Sequence, residues 1–433
     1  MKRHLANAAY GVIDYLAFPL GMLIVAPVVL HRLGAVSYGL WTLVTSVVTI
    51  GSVAASGFGD ANIQRVSRWL EQDDPVAIRR TVRNSLSIHL VLGCLLASIL
   101  FAFAGTAAAR FTLVTPELNH QCFLSLCFAA LIVLVRALET VCVSTQRAFL
   151  RYAASIRISL CARVLTLIVA AFLSILHASV VSIVAATALI TAVATAWQFY
   201  GLAKLMHVRW VAPAFHPDVL RDLFRFGIYS WLQAVSAVIF VQIDRVFLGM
   251  HLGVQAVAAY ALCLQLTQPL YGIAAAGLHF LFPYFASGAG TRHGQGRRVL
   301  IATLCNVVLV TIGAAILVTF GLPLLRIWSS SAIAEASAGV LPLAIISTAF
   351  AGMGVTATYT LLAHDHSRTV MLFNVIGGTI SVCLMPYMLS RFGIVGLAAA
   401  RLPYGVANLL LYLPLFSVLT ARNFPVTAYE EVR

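Results

Sequence analysis

The sequence predicts an all-α polytopic membrane protein: twelve transmembrane helices in two parallel six-helix lobes around a central cavity, with both termini cytoplasmic. Three observations lead there. The 433 residues are 61% hydrophobic and only 10% charged, against roughly 25% charged in an average soluble domain. Apolar runs of membrane-spanning length recur along the whole chain. The Lys and Arg residues sort to alternate connections between them.

A helix needs about 20 mostly apolar residues to cross a bilayer. Twelve runs reach that length: 9–30, 38–58, 85–109, 121–143, 158–176, 180–202, 227–250, 255–285, 299–320, 338–362, 369–389 and 394–420. The first follows a short basic start. It exceeds the roughly 7–15 apolar residues of a cleavable signal peptide, so it reads as a retained span. The eighth carries Pro269 and Gly272, which predicts a kink.

With the N-terminus inside, the inner segments hold clusters such as Arg65, Arg68, Arg79, Arg80 and Arg83. The outer loops hold only Arg32, Arg110, Arg326 and Arg391. This asymmetry places both termini in the cytoplasm and favours an even number of spans. The net charge of +14 is thus mostly an orientation device, not the mark of a nucleic-acid partner. The inner stretches IQRVSRWLEQDDPVAIRRTVRN (63–84) and HPDVLRDLFRFG (216–227) read as amphipathic helices on the inner leaflet. Their plain role is lipid-surface anchoring; the sharper one is direct grip on a lipid head group.

Several classes drop out. No soluble domain interrupts the apolar pattern, and there is no Walker A loop and no H-E-x-x-H. The eight cysteines lie in or at the ends of apolar runs and none forms C-x-x-C. They read as packing residues rather than disulfides or metal ligands. No cofactor is expected.

The chain also echoes itself. HRLGAVSYGLWTLVTS (31–46) follows the first span and MHLGVQAVAAYALCLQ (250–265) follows the seventh. Both read Leu-Gly, a short gap, Tyr, a small residue and Leu. Six spans separate the copies, so they share one orientation. That divides the chain into an N-lobe (1–202), a cytoplasmic linker (203–226) and a C-lobe (227–433). Parallel repeats of this kind are one way in which transporters are built, with the site at the repeat interface.

Four stretches carry a resemblance: LGAVSYGLW (33–41), GFGDANIQRVSR (57–68), STQRAFLRYAASIR (144–157) and WLQAVSAVIFVQIDRVFLGMHLGVQAVAAYAL (231–262). With the hydropathy pattern, they make the chain resemble the polysaccharide exporters of the multidrug/oligosaccharidyl-lipid/polysaccharide (MOP) flippase superfamily, the Wzx-type O-antigen and exopolysaccharide flippases. The resemblance implies export of an undecaprenyl-pyrophosphate-linked oligosaccharide across the bacterial inner membrane by alternating access. The acids within the spans make H⁺ or Na⁺ a candidate coupling ion, and polysaccharide polymerase machinery is a candidate partner. The related lipid II flippases carry additional spans, which separates this chain from that branch.

Charged residues within the spans are the candidate site: Asp14, Arg136, Glu139, Arg163, Asp244, Arg245 and Arg401. Each would cost about 2.5–3.5 kcal/mol at the centre of a lipid-facing helix. Seven such costs reach about 20 kcal/mol, beyond a typical folding margin of about 5–15 kcal/mol. They therefore snorkel from span ends or face a wet interior. Arg136, Arg163, Arg245 and Arg401 are the candidates for an anionic cargo, because arginine forms bidentate contacts with phosphate and stays charged. Asp14, Glu139, Asp244 and His279 are candidates for ion coupling. Structural readings stand beside these: Arg136 and Glu139, three apart on one helical face, could pair with each other, and Arg163 could snorkel.

Two rivals remain. A cation-coupled multidrug exporter of the same superfamily would want acids to dominate its cavity, whereas arginines slightly outnumber acids here. A membrane glycosyltransferase or polymerase would want paired acids or a catalytic His on a substantial loop. AHDHSR (363–368) is the only compact acid/base cluster, and it reads as a solvated turn.

Overall fold

A computed structural model describes the backbone of residues 2–112, 116–286, 292–329, 331–364 and 366–420. Side chains of 2–18, 152–155, 226, 276–286, 292–295 and 420 fall outside that description. The helices in chain order are α1 (Lys2–Ser56), α2 (Gly59–Glu71), α3 (Pro75–Thr112), α4 (Pro116–Ala148), α5 (Tyr152–Ile175), α6 (Val180–Leu205) and α7 (Pro217–Ala286). They continue with α8 (Arg292–Trp328), α9 (Ser331–Ser337), α10 (Val340–Met353), α11 (Val355–Ala363), α12 (Ser367–Ala399), α13 (Leu402–Leu410) and α14 (Tyr412–Thr420).

Among the described residues, nine helical stretches are long and apolar enough to cross a membrane. Three are far longer than one crossing needs: Pro19–Glu71, Gly227–Ala275 and Ser367–Leu419. Each overlaps two of the apolar runs read from sequence, with a positive-φ glycine between them: Gly34 (φ 82°), Gly253 (φ 77°) and Gly393 (φ 60°). L-residues rarely enter this region, whereas glycine pays no Cβ penalty there. Thus the loops expected at 31–37 and 251–254 are replaced by one backbone break each. The kink expected at Pro269 and Gly272 is not a dihedral break; the non-helical residue of α7 is Gly253.

The chain forms two compact units, Met1–Leu262 and Cys263–Arg433. In the first, α4 packs against α3, α6 and α1, and α1 also packs against α5. Small residues permit close approach, as is usual between helices in lipid. Gly93 faces Ala137 and Leu134, and Gly51 faces Val133. Polar side chains add specific ties. Asn62 on α2 donates to Ser144 Oγ (2.8 Å) and Thr145 Oγ1 (2.9 Å) on α4. Trp231 Nε1 on α7 donates to the Ala54 carbonyl (2.7 Å), and the Trp231 ring stacks on Phe58. The segment between α6 and α7 lies along the start of α3: Ser87 Oγ donates to the Ala214 carbonyl (2.6 Å) and the His216 amide donates to Asn84 Oδ1 (2.7 Å).

In the second unit, α13 packs against α10 and α12, and α8 packs against α10. A Cβ on Gly354 would lie 2.5 Å from the Asn408 carbonyl oxygen. The α10–α11 junction frees backbone acceptors, and side chains satisfy them. Asn306 Nδ2 donates to the Gly352 carbonyl (3.0 Å), and the Tyr412 hydroxyl donates to the Met353 carbonyl (2.8 Å). Irregular backbone at membrane depth is tolerated only with such partners. Leu304, Val308, Ile312, Ile316 and Phe320 on α8 are exposed. A row of this kind would be an aggregation hazard in water and is the expected face toward acyl chains.

Candidate functional site

The charges within the spans fall into distinct places. Arg136 and Glu139 sit on α4 and Arg163 on α5. Arg136 lies close enough to both Glu139 and Arg163 to feel their charges, so these three form one cluster. All three are half-buried. Arg136 and Glu139 make no direct ion pair, and the hydrogen-bond donor to Glu139 among the described residues lies on another helix. Ser159 Oγ on α5 donates to Glu139 Oε1 (2.9 Å). Gln198 Nε2 on α6 donates to Ser159 Oγ (3.4 Å), and Gln146 Nε2 on α4 donates to Gln198 Oε1 (2.8 Å). A polar chain thus links α4, α6 and α5 and ends on the carboxylate. The Arg136 guanidinium has no hydrogen-bond or ion-pair partner among the described residues. Among the described residues the cluster holds two arginines and one carboxylate, and the guanidinium of Arg136 is a fork of the kind that suits an oxyanion.

Asp244 and Arg245 form a second group where the two sequence echoes meet. Asp244 is fully buried. Its Oδ2 accepts from the Tyr260 hydroxyl (2.7 Å) and its Oδ1 accepts from the Arg245 amide (2.8 Å). Tyr260 lies beyond the Gly253 break, so the carboxylate clasps the two arms of α7 together. Arg245 donates through Nη1 to Gln242 Oε1, and its charge acts on Tyr38. Tyr38 and Tyr260, the paired tyrosines of the echo, are both fully buried. The paired glycines share a conformation, φ/ψ 82°/170° at Gly34 and 77°/175° at Gly253. Helices cross closely at Gly39, where an added Cβ would lie 1.8 Å from the Val254 carbonyl oxygen.

The Asp244 clasp has a measurable consequence. Replacing Tyr260 by phenylalanine removes a hydrogen bond to a buried carboxylate, a loss of about 1.5–3 kcal/mol. The thermal unfolding midpoint of Tyr260→Phe in detergent should fall by several degrees, and an unchanged midpoint would refute the clasp.

Arg401 directly precedes α13 in the second unit, and its charge acts on Tyr404 one turn later. Asp14 and His279 lie outside the described side chains. Sequence reasoning passed over His89, which is fully buried on α3 with Nδ1 2.8 Å from the Ser85 carbonyl. Its place five residues into an apolar run was the available signal. Sequence reasoning also missed Gln146, Gln198 and Ser159, whose roles appear only once α4, α5 and α6 are packed.

Comparisons with known proteins bear on the whole chain. A family model described as "Polysaccharide biosynthesis protein" matches residues 29–320. No curated protein matches the sequence. Similar folds occur in a multidrug resistance MATE family transporter of the MOP superfamily (TM-score 0.71, 16% identity, covering 94% of this chain and 97% of that one). The lipid II flippase MurJ is also similar (TM-score 0.73, 13% identity, 94% of this chain and 88% of that one). So is a MOP superfamily transporter from Pyrococcus furiosus (TM-score 0.62, 16% identity, 96% of this chain and 94% of that one). At these identities the structural likeness establishes the fold, while the family match spans well over half the sequence. The chain belongs to the polysaccharide biosynthesis protein family and has the multi-pass fold of the MOP-superfamily transporters.

Proposed function

We propose that this protein is a flippase that moves a lipid-pyrophosphate-linked oligosaccharide across the bacterial inner membrane for surface polysaccharide synthesis. The observation that carries this reading is the Arg136 guanidinium, which has no hydrogen-bond or ion-pair partner among the described residues and is set beside Arg163 and Glu139 within the spans of a polysaccharide-biosynthesis protein. In this reading each glycine-broken stretch crosses twice, giving twelve crossings, two lobes (1–202 and 227–433) and cytoplasmic termini. A lipid pyrophosphate carries about two negative charges, and arginine is the side chain best matched to phosphate oxygens. The lipid tail stays in the bilayer. Only the sugar head needs a hydrated path, and alternating access supplies it.

Binding must be firm yet reversible, and Glu139 moderates the two arginines. Among the described residues it accepts one hydrogen bond, at Oε1, and its other oxygen is the one we assign to H⁺ or Na⁺. Glu139 is thus the favoured ion-coupling acid, while Asp244 acts as the structural clasp of α7. Arg245 in the first unit and Arg401 in the second are further candidate residues for an anionic cargo, each taken by itself, and the polymerase that uses the exported unit is the natural partner.

The multidrug-exporter alternative makes opposite predictions. Cells lacking the protein should lose surface polysaccharide and accumulate the lipid-linked oligosaccharide, with unaltered drug tolerance. Normal polymer combined with drug hypersensitivity would favour the exporter.

A further inference from the structure

Away from the charges within the spans, α2, the start of α3 and the start of α7 enclose a cavity of about 1000 Å³. That volume reaches the upper end of common ligand pockets, about 300–1,000 Å³. Two amphipathic stretches far apart in sequence meet here. Arg65 on α2 is bound to Asp222 on α7, an ion pair that ties the two walls together. Three further lining arginines, Arg80, Arg221 and Arg225, have no carboxylate within ion-pair distance among the described residues. Asp218 is the other acid in the lining. The remaining wall is largely apolar and includes Trp69, Val219, Phe224 and Ile228.

Its position argues for a lipid ligand. Arg225 is the last charged residue before the uncharged, mainly apolar run 226–243, so the cavity sits at the polar end of that run. Phe224 and Ile228 are exposed, as are the neighbouring Val76 and Tyr229. Cations beside exposed apolar side chains at this end match a phosphate head group and its first methylenes. A free phosphate would have no use for the apolar wall.

We infer that this cavity is a second anion site, which binds the phosphate or pyrophosphate head of a membrane lipid through Arg80, Arg221 and Arg225. The site stands whether or not the protein is a flippase, since none of its residues belongs to the Arg136 cluster. An anionic bilayer lipid would make it a regulatory anchor. A prenyl diphosphate would make it a loading site that holds the head group on one face of the membrane before translocation.

The test is lipid binding to the purified full-length protein by native mass spectrometry. An Arg136→Ala background is used, so that the span cluster does not contribute. The probes are a polyprenyl diphosphate, phosphatidylglycerol, phosphatidylcholine and inorganic pyrophosphate. The triple variant R80Q/R221Q/R225Q should weaken binding of the anionic lipids at least tenfold and leave phosphatidylcholine unaffected. Asp218→Asn removes an acid from the lining and should strengthen binding about threefold, a gain that misfolding cannot mimic. Strong preference for the diphosphate assigns the loading role; equal binding of both anionic lipids assigns the bilayer's own head groups. Unchanged anionic-lipid binding in the triple variant, or inorganic pyrophosphate bound as tightly as the lipids, would overturn the inference.

Discussion

Replacing Arg136 by alanine should lower surface polysaccharide roughly ten- to hundredfold while the protein accumulates normally. A hydrogen bond to a charged group contributes about 1.5–3 kcal/mol, and each 1.4 kcal/mol is about a tenfold effect. The side chain carries no structural hydrogen bond among the described residues, so its loss should spare the fold. Arg136→Lys should fall between the two, because lysine keeps the charge but lacks the planar fork. Glu139→Gln should separate coupling from binding: the amide still accepts from Ser159, while the titratable, cation-attracting group is gone. Its signature is an altered dependence of transport on H⁺ or Na⁺ rather than simple loss. Quantifying polymer against immunoblotted protein level checks the arginine variants, and normal polymer in Arg136→Ala would remove the anion site.

A second large effect concerns folding. Gly39→Val should reduce the yield of folded, monodisperse protein at least tenfold in detergent size-exclusion chromatography. A Cβ at position 39 would lie 1.8 Å from the Val254 carbonyl oxygen and 2.8 Å from its carbonyl carbon. The obstacle is backbone, so no side-chain rotation relieves it, and the helices must separate. Overpacking of a core costs about 1–3 kcal/mol even where side chains can adjust. Separation here would also loosen the packing around Tyr38 and Tyr260, both fully buried. Gly39→Ala should act in the same direction with smaller effect. Gly105→Ala is the control, since a Cβ there meets nothing within 4 Å and alanine raises helix propensity. Equal yields of Gly39→Val and Gly105→Ala would refute the crossing.

The membrane class and the apolar runs were legible because hydropathy is a local property. The echo at Leu33-Gly34 and Leu252-Gly253 was legible for a related reason: a positive-φ break needs glycine, and the tyrosine at each copy fills a buried position. The relation of charges to one another was not legible. Arg136 and Glu139 share a helical face, yet the carboxylate turns to Ser159 on a different helix. Asp244 stands beside Arg245 in sequence, but its side chain reaches Tyr260 across a break that hydropathy marks only as a loop. The arginine-lined cavity required stretches 63–84 and 216–227 to meet. Each reads alone as a surface-lying helix, and only their contact through Arg65 and Asp222 encloses a space.

The most direct test of the central claim, that arginines within the spans carry a lipid-linked anion across the bilayer, is translocation in proteoliposomes. The measured quantity is the rate at which a fluorescent polyprenyl-diphosphate oligosaccharide becomes accessible on the opposite leaflet. The wild-type protein should accelerate that rate well above empty vesicles, and the double variant Arg136→Ala/Arg163→Ala should return it to the empty-vesicle value. Equal rates for wild type and double variant, or no acceleration by the wild type under any ion gradient, would contradict the account.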